Sequence, residues 1–443
     1  MIKGTYGSVI KLPYSKETAR LVRHYRYLNK DQQYIIGAKI SDCKGFIEFP
    51  RDLVKFHRLC PDVTLEDITI SPSTSKKINI LGLELREYQQ TVADCIKNYW
   101  SLGRNDIVLC AETGFGKSYC ISYFLEELQL KTTILVDKTL LANQMFREIS
   151  EHTDANVKLL DRDSELGDVN IVTYQLLNHN PQILKELQET TGFLVLDECH
   201  VSPANTMFSI VSNFPAKFRM GLSATPTRSD GLTELIYDLF GRNVVFGKNK
   251  DAIQVSVHTI QFFDIFGSSA AKYKKNLSIL LKEKKQEVID LTKFLVSKGR
   301  HLCIAVDIQD TQEYYCKLLN SLGIPSAVLN SNVTHQQRED YLQRFDKGEI
   351  KVLLFLAVGE KGISIPKLDT IIHLSGCSTK EKTTQLVGRL MRAHPDKKSA
   401  LFIDLHFLGS LERQQSIREN TYRNLKLPVS SFSSFENYKK RWK

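Results

Sequence analysis

Short apolar runs alternate along most of this chain with stretches in which apolar residues recur every three or four positions. Strand-length runs separated by helical periodicity predict parallel β-strands connected by α-helices, with helices covering both faces of the sheet. Between residues 80 and 247 the predicted strands are 107–110, 133–136, 170–172, 193–196 and 218–222. A second set comprises 302–306, 326–329, 352–355, 370–374 and 401–403. The chain of 443 residues is therefore predicted to hold two consecutive α/β domains.

The two alternations divide the chain into four predicted segments. Residues 79–249 and 250–410 hold the two α/β domains. Residues 1–78 form a smaller region with short mixed strands, a basic helical stretch at 15–29 and a polar linker at 71–75. Arg20, Arg23 and Arg26 are three positions apart, which would place them on one helix face. Residues 411–443 end in basic residues beside aromatics, which can grip a nucleic-acid backbone; a frayed tail is the alternative.

The excess of positive charge lies at the two ends of the chain. The formal net charge is +10. Residues 1–80 contain 14 basic and 8 acidic residues and residues 411–443 contain 8 and 3, whereas the centre contains 38 and 39. Basic ends on a neutral centre are typical of a protein that binds a polyanion, and we expect nucleic acid. Charge that serves only solubility is the alternative.

One octet after the first predicted strand has the composition of a phosphate-binding loop. It reads Ala111, Glu112, Thr113, Gly114, Phe115, Gly116, Lys117 and Ser118, with alanine replacing the first glycine of G-x-x-x-x-G-K-[ST]. Gly114 and Gly116 let backbone N–H groups curl around phosphates, Lys117 neutralises the β- and γ-phosphates, and the Ser118 hydroxyl holds Mg²⁺. Because Lys117 and Ser118 follow the last glycine at the required offset, a turn that binds nothing is the weaker interpretation.

Two carboxylates directly follow the predicted strand at 193–196. Asp197 and Glu198 would lie at the carboxyl edge of the sheet, where ligands bind in folds of this kind. There Asp197 can hold the Mg²⁺ water shell, and Glu198 can orient the attacking water as a base. Simple capping of the strand end is the alternative. With the phosphate loop upstream, the pair predicts nucleotide hydrolysis.

Four motifs in the same order resemble those of superfamily 2 helicases, over about residues 80–410. After the phosphate loop come Asp197, Glu198, Cys199 and His200, which fit D-E-x-H, and then Ser223, Ala224 and Thr225, which fit S-A-T. Residues 225–231 extend the S-A-T motif in a form typical of DNA-remodelling members. Residues 385–392 fit Q-x-x-G-R-x-x-R. The resemblance implies an α/β fold with two tandem RecA-like parallel-sheet domains, a small basic N-terminal accessory domain and ATP as the nucleotide.

The resemblance also implies roles for individual residues at the nucleotide. The implied catalytic residues are Lys117, Glu198, Gln385, Arg389 and Arg392. Three apart on one helix, Arg389 and Arg392 would act as arginine fingers once the domains close. The implied nucleotide-binding residues are Arg86, Gln89, Thr113, Gly114, Phe115, Gly116, Lys117 and Ser118, with Gln89 reading the adenine edge and Arg86 stacking on its face. Ser118 and Asp197 are the implied Mg²⁺ ligands.

Other residues are implied to contact nucleic acid or to couple it to hydrolysis. The nucleic-acid candidates are Lys138, Thr139, Thr173, Tyr174, Gln175 and Arg228, which follow predicted strands at the same sheet edge. Short polar groups there would bind phosphates without reading sequence, and ordinary loop capping is the alternative. The coupling candidates are His200, Ser223 and Thr225.

The fifth helicase motif departs from the family pattern V-A-T-x-x-x-x-x-G-[ILV]-D-x-P. Leu356 stands where the pattern has threonine, and Ser364 stands where it has aspartate. We expect these changes to alter the grip on the strand and the coupling efficiency. The complete phosphate loop still predicts turnover.

Cysteine usage and hydropathy exclude several other classes. The nine cysteines show no C-x-x-C pairing, so zinc and a disulfide framework are not indicated. No apolar run approaches the length of about 20 residues that a membrane helix needs, and the N-terminus lacks an apolar signal region. We therefore expect no membrane partner and a cytoplasmic protein, in the host cytoplasm if the source is viral.

The function that the resemblance implies for these residues is that of an ATP-dependent DNA helicase or translocase, most similar to phage recombination helicases of the UvsW type. It would act as a monomer on branched or duplex-containing DNA, in recombination, repair or replication, with the basic N-terminal domain holding duplex. The alternatives are an RNA helicase or a transcript-release factor of the poxvirus type, and an ATP-switched clamp that does not unwind. A restriction motor subunit would additionally need a nuclease partner.

Overall fold

The computed structural model describes residues 2–28, 34–41, 45–112, 114–201, 205–224, 232–265, 270–330, 332–356, 365–376, 379–409 and 412–441. These residues form two compact units, residues 1–250 and 251–443. No helix within the described ranges is long and apolar enough to cross a membrane. The segment boundaries at 78, 249 and 410 stay predictions.

The N-terminal region is built on a small mixed sheet with the strand order β5-β6-β2-β1-β7. Its elements are β1 (Ile2–Tyr6), β2 (Ile10–Pro13), α1 (Lys16–Leu21), β3 (Arg26–Leu28), β4 (Tyr34–Ile36), β5 (Lys39–Ile40), β6 (Phe46–Phe49), α2 (Leu53–Leu59) and β7 (Val63–Asp67). In β2, Ile10 and Leu12 are fully buried, whereas Lys11 between them pairs with Glu48 at 3.0 Å. This period of two gives the sheet one apolar face, which forms the core of the region.

The predicted helix at 15–29 is wrong in its length. Ser15 caps α1 by accepting a hydrogen bond from the Thr18 backbone N–H, but α1 ends at Leu21. A 3₁₀ turn over Val22–Tyr25 follows and buries Tyr25 completely. Arg26 then begins β3, so it does not share a helix face with Arg20. Burial of an aromatic side chain therefore outweighs the helical spacing of the arginines.

The first α/β domain contains a sheet whose described strands all run parallel, in the order β10-β11-β9-β12-β13-β8-β14. Its elements are α3 (Glu87–Ser101), β8 (Asp106–Ala111), α4 (Lys117–Leu128), β9 (Thr132–Val136), α5 (Thr139–His152), β10 (Val157–Leu159), β11 (Val169–Thr173), α6 (Tyr174–His179), α7 (Pro181–Thr190), β12 (Phe193–Leu196), α8 (Asn205–Ser212), β13 (Phe218–Ser223), α9 (Thr233–Phe240) and β14 (Asn243–Gly247). All five predicted strands are confirmed. The sequence analysis missed β10 and β14, which are the two edge strands.

The second unit contains another sheet whose described strands all run parallel, in the order β17-β18-β16-β19-β20-β15-β21. Its elements are β15 (Val255–Ile265), α10 (Ala270–Glu283), α11 (Lys285–Ser297), β16 (Leu302–Val306), α12 (Gln309–Ser321), β17 (Ser326–Leu329), α13 (His335–Asp346), β18 (Val352–Leu356), β19 (Thr370–His373), α14 (Lys380–Leu390), β20 (Ala400–Gly409), α15 (Glu412–Asn424), β21 (Val429–Phe432) and α16 (Phe435–Lys440). Two parallel sheets and a mixed N-terminal sheet confirm the predicted fold class.

The C-terminal residues are part of the second sheet. β21 pairs with β15, and Tyr438 of α16 is fully buried in the core of the unit. The ring of Tyr438 packs edge-on against Phe432 and His258, with ring centroids 5.1 and 5.5 Å away. Over residues 412–441 this segment is therefore folded and not frayed.

The predicted polar linker at 71–75 is also held in place. The Ser75 hydroxyl donates a hydrogen bond to the Asp168 carboxylate at 2.6 Å, and Ser73 forms an isolated β-bridge with Leu130. The N-terminal region is thus joined to the first α/β domain through a segment that runs along its surface with specific contacts.

Candidate functional site

The phosphate loop lies between the end of β8 at Ala111 and the start of α4 at Lys117. Gly114 and Gly116 have φ angles of 83° and 88°, in the left-handed region that favours glycine. A Cβ on Gly116 would lie only 2.4 Å from Gln89 Nε2. The two glycines are therefore required by backbone conformation and close packing. Thr113 lies outside the described residues.

Gln89 supports the loop from α3. Its side chain is buried; Nε2 donates a hydrogen bond to the Phe115 carbonyl at 2.7 Å, and Oε1 accepts one from the Arg86 backbone N–H at 2.9 Å. Both ends of the amide thus have protein partners, which fix the start of α3 to the loop. The adenine contacts of Gln89 and Arg86 stay predictions.

The far side of the loop is supported by residues that sequence reasoning missed. Phe115 is fully buried, and a Cβ on Gly247 would lie 2.8 Å from its ring. Asn249 Nδ2 donates a hydrogen bond to the Gly114 carbonyl at 3.1 Å, and the Asn249 backbone N–H donates one to Glu112 Oε2 at 3.2 Å. No motif signals these residues, because Asn249 and Gly114 are 135 positions apart.

Asp197 and Glu198 follow β12 directly, as predicted. Burial and the neighbouring Glu198 charge raise the pKa of Asp197 to about 6, while the Lys117 ammonium opposes this rise. Glu198 itself has a φ of 52°, which is uncommon for a residue with a side chain. The structure therefore places two carboxyls and the loop lysine close enough to interact at the carboxyl edge of the sheet. Burial disfavours the ionised form of this carboxyl, and a nearby cation would offset that cost.

His200 connects two of the predicted motifs. Its Nδ1 lies 3.1 Å from Glu198 Oε2 and 3.2 Å from the hydroxyl oxygen of Ser223, the last residue of β13. Cys199, which lies between Glu198 and His200 in the chain, is buried in the core. Burial raises the pKa of its thiol, so the thiol stays protonated. The coupling roles of His200 and Ser223 stay predictions, and Thr225 lies outside the described residues.

The candidate nucleic-acid residues follow β9 and β11, which are neighbours in the sheet. The Thr173 hydroxyl caps α6 by accepting from the Leu176 N–H at 3.3 Å, and Gln175 Nε2 donates to the Asp137 carbonyl at 2.8 Å. Lys138 and Thr139 stand at the start of α5, and Tyr174 begins α6. The structure brings these residues to one sheet edge, where Thr173 and Gln175 also make capping contacts. Arg228 lies outside the described residues.

Gln385 and Arg389 lie on α14 in the second unit. The Arg389 guanidinium stands over the ring of Phe355, 5.1 Å from its centroid. Because α14 ends at Leu390, Arg392 lies beyond the helix, and the expectation that both arginines share one helix face is wrong. The Arg392 carbonyl instead accepts a hydrogen bond from the buried Lys397 ammonium at 3.0 Å.

The fifth motif can be placed only in part. Leu356 is the last residue of β18, whereas residues 357–364, including Ser364, lie outside the described residues. The effect of both departures from the family pattern therefore stays a prediction.

Comparison with protein families gives two matches along the chain. Residues 82–228 match the family described as type III restriction enzyme, res subunit, and residues 283–394 match the helicase conserved C-terminal domain. The first match includes the phosphate loop and the D-E-x-H and S-A-T motifs. The second includes α14 with the Q-x-x-G-R-x-x-R motif.

Several known proteins are similar over most of the chain. A DNA 3'-5' translocase XPB2 of Sulfurisphaera tokodaii is 25% identical over 464 residues, covering 90% of this chain and 99% of that protein. A putative ATP-dependent helicase IRC3 of Saccharomyces cerevisiae is 25% identical over 74% of this chain, which spans 52% of that protein. A DNA 3'-5' helicase XPB of Mycobacterium tuberculosis is 24% identical, over 77% of this chain and 65% of that protein.

One of the similar solved structures agrees at the level of the fold. Dbp5 of S. cerevisiae, bound to RNA and ADP BeF3, superposes with a TM-score of 0.57 at 15% identity, over 81% of this chain and 96% of that chain. T4 UvsW covers 98% of this chain at 18% identity with a TM-score of 0.40, which is too low to establish a shared fold. The motif order, the two parallel sheets and the two family matches agree: the chain resembles the helicases of superfamily 2 and is an ATP-dependent helicase.

Proposed function

We propose that this helicase acts on DNA and that it unwinds or remodels branched substrates such as forks and junctions. DNA is supported by the names of the similar XPB proteins and by the positive charge at both chain ends. Action on branches in recombination, repair or replication extends the resemblance to UvsW-type helicases. We also propose that the helicase acts as a monomer in the cytoplasm.

The observation that carries this proposal is the attachment of the basic N-terminal region to the first α/β domain. Arg51 Nε and Nη2 each donate a hydrogen bond of 2.9 Å to Asp106, the first residue of β8, and Nη1 donates to the Ala216 carbonyl at 2.7 Å. Among the described residues of this region, nine lysines and arginines are exposed: Lys3, Lys16, Arg20, Arg23, Arg26, Lys39, Arg58, Lys76 and Lys77. A charged surface fixed to the motor can hold duplex while the motor pulls on a strand.

The proposed hydrolysis follows from the geometry around the loop. Lys117 neutralises charge on the β- and γ-phosphates, and Glu198 orients the attacking water as the general base. His200, in contact with Glu198, passes the state of the nucleotide to Ser223. Arg389 and Arg392, with Gln385, would stabilise charge on the transferring phosphoryl group. Because they belong to the second unit, turnover would depend on domain movement.

A Mg²⁺ ion fits the residues at this site. Hydroxyl and carboxylate oxygens are the ligands that Mg²⁺ prefers, and Ser118 in the first turn of α4 and Asp197 after β12 supply them. A cation at this site would offset the desolvation that raises the pKa of Asp197. A bound ion would supply positive charge that neutralises the phosphates.

The test is the ATPase rate without nucleic acid and with single-stranded DNA, duplex, forked DNA, a four-way junction and matched RNA, with strand separation followed in parallel. The proposal expects the strongest stimulation and unwinding on forked or four-way DNA. Stimulation by RNA alone would reassign the protein as an RNA helicase. Equal stimulation by every DNA would retain a DNA motor but reject the preference for branches.

A clamp that binds without unwinding is tested separately with Glu198→Gln. If Glu198 is the general base, this variant keeps nucleotide and DNA binding but loses turnover by two orders of magnitude or more, of the size expected for acid–base catalysis, about 10²–10⁴-fold. Wild-type protein that binds DNA in an ATP-dependent manner but shows no turnover on any substrate would support the clamp.

A further inference from the structure

The connection between the two units is short and is anchored at both ends. The first unit ends at residue 250 and the second begins at 251. On one side Asn249 bonds the phosphate loop through Gly114 and Glu112. On the other side the Ile253 backbone N–H donates a hydrogen bond of 3.0 Å to the carbonyl of Met391. Met391 stands in the chain between the two predicted arginine fingers, Arg389 and Arg392.

The anchor on the phosphate loop is tightly built. The Asn249 side chain is buried, and it receives support from β14, in which Gly247 pairs with Ala111 at the start of the loop. The Glu112 backbone N–H also donates to the Gly247 carbonyl at 3.3 Å. Movement of the Gly114 carbonyl or the Glu112 side chain must therefore disturb the chain just before the connection, because packed contacts leave no free volume to absorb it.

We propose that residues 247–253 form a strap, a short connecting segment held by contacts at both ends. The strap couples nucleotide binding at the phosphate loop to the position of residues 389–392, which are called the arginine segment. Asn249 is its positioning residue. Only three residues separate the two anchors, so the strap has little slack. A nucleotide that fixes the loop would stabilise one conformation of the strap. Because such coupling is reciprocal, the conformation of the strap would in turn change the affinity for nucleotide. The inference rests on the proposed roles of Arg389 and Arg392 but not on the choice of DNA.

The loop anchor is tested with Asn249→Ala and the nearly isosteric Asn249→Asp. Asn243→Ala is the matched control, because Asn243 Nδ2 also donates to a backbone carbonyl of β8, that of Asp106 at 2.9 Å, at the end remote from the loop. Loss of the Asn249 bond should raise KM for ATP about three- to tenfold, which corresponds to one net hydrogen bond. Asn243→Ala should leave KM unchanged. It should lower the melting temperature by as much as Asn249→Ala does.

Amide hydrogen exchange distinguishes coupling from simple support. A non-hydrolysable ATP analogue should slow exchange across residues 247–254 in wild type and in Asn243→Ala, but not in Asn249→Ala. If the analogue protects this segment equally in all three proteins and KM is unchanged, the proposal is overturned. If wild type binds no nucleotide, the ATP site itself fails, which is a separate result.

Whether the coupling requires a short strap is tested by inserting three glycines between Asp251 and Ala252. The insertion keeps both anchors. The same insertion after Gly299, an open turn with no atom within 4 Å of its built Cβ, is the control. The strap insertion should lower kcat about tenfold or more with KM for ATP nearly unchanged, because misplacement of catalytic groups acts on the chemical step. Equal kcat in both insertion variants would overturn the coupling.

Discussion

His200 Nδ1 lies 3.2 Å from the Ser223 hydroxyl, and the same nitrogen lies 3.1 Å from Glu198. One imidazole therefore contacts both the proposed catalytic base and the last residue of β13. Since β13 leads into the S-A-T motif, we expect this contact to couple hydrolysis to nucleic-acid binding.

Replacing His200 by alanine should separate the two activities. We expect ATPase activity within a few-fold of wild type but strand separation reduced by about tenfold or more, within the 5–150-fold range of typical coupling energies. The measurement is the number of base pairs separated per ATP hydrolysed. His179→Ala, which changes an exposed histidine on α6, should alter neither activity. Parallel loss of both activities would show that His200 acts on chemistry alone.

Arg51→Met should strongly destabilise the first unit. The change leaves the Asp106 carboxylate buried with its cationic partner removed, and breaking a buried pair in this way costs about 3–5 kcal/mol. Chemical denaturation measures the loss. The control is Lys11→Met at the half-exposed Lys11–Glu48 pair, where a loss below about 1 kcal/mol is expected. Similar losses in both variants would contradict a structural role for Arg51.

Asp238 should make the stability of the first unit depend on pH. Burial raises the pKa of Asp238 from 3.8 to about 7, although the Lys55 ammonium at 3.6 Å opposes the rise. A raised acid pKa contributes stability that is complete below pH 4 and is lost as pH rises toward 7, because the unfolded state releases the proton first.

The variant that removes this titration is Asp238→Asn. Its unfolding free energy, relative to wild type, should increase by about 1.4 kcal/mol per pH unit between pH 4 and 7 and then level off. Denaturant titrations across that range supply the measurement. A constant difference between the two proteins would mean that Asp238 is ionised throughout.

The C-terminal aromatics should contribute to the core and not to a mobile tail. Tyr438→Ala removes a fully buried ring and should cost about 3–5 kcal/mol in the second unit. Lys440→Ala, two positions away and exposed, should change stability by less than about 0.5 kcal/mol. Thermal unfolding of both variants decides the point, and equal melting temperatures would refute the packing role.

The sequence predicted what chemistry and burial dictate locally. Strands such as Phe193–Leu196 are buried on both faces and therefore appear as continuous apolar runs. Such strands can be predicted from the local sequence alone. The phosphate loop was recognisable because glycine, lysine and serine must stand at fixed spacing to hold phosphates. The carboxylates at Asp197 and Glu198 were recognisable because they end such a strand.

What the sequence did not predict depends on contacts between distant residues. β14 is an edge strand with a mixed pattern, so neither it nor the Asn249 contact that follows it carries a local signal. β21 reads as a serine-rich loop until it pairs with β15. The helix expected to hold Arg389 and Arg392 together stops at Leu390, although helical spacing continues in the sequence.

β8 carries the Arg51 partner Asp106 at one end and enters the phosphate loop at the other. A strand of six residues is about 20 Å long and does not stretch. One rigid strand therefore connects the N-terminal region to the phosphate loop. The N-terminal region is consequently not a freely exchangeable module. Moved onto a related motor that lacks the Asp106 carboxylate, it would bring a buried guanidinium without a counter-charge, so a transfer of this region would have to include that carboxylate as well.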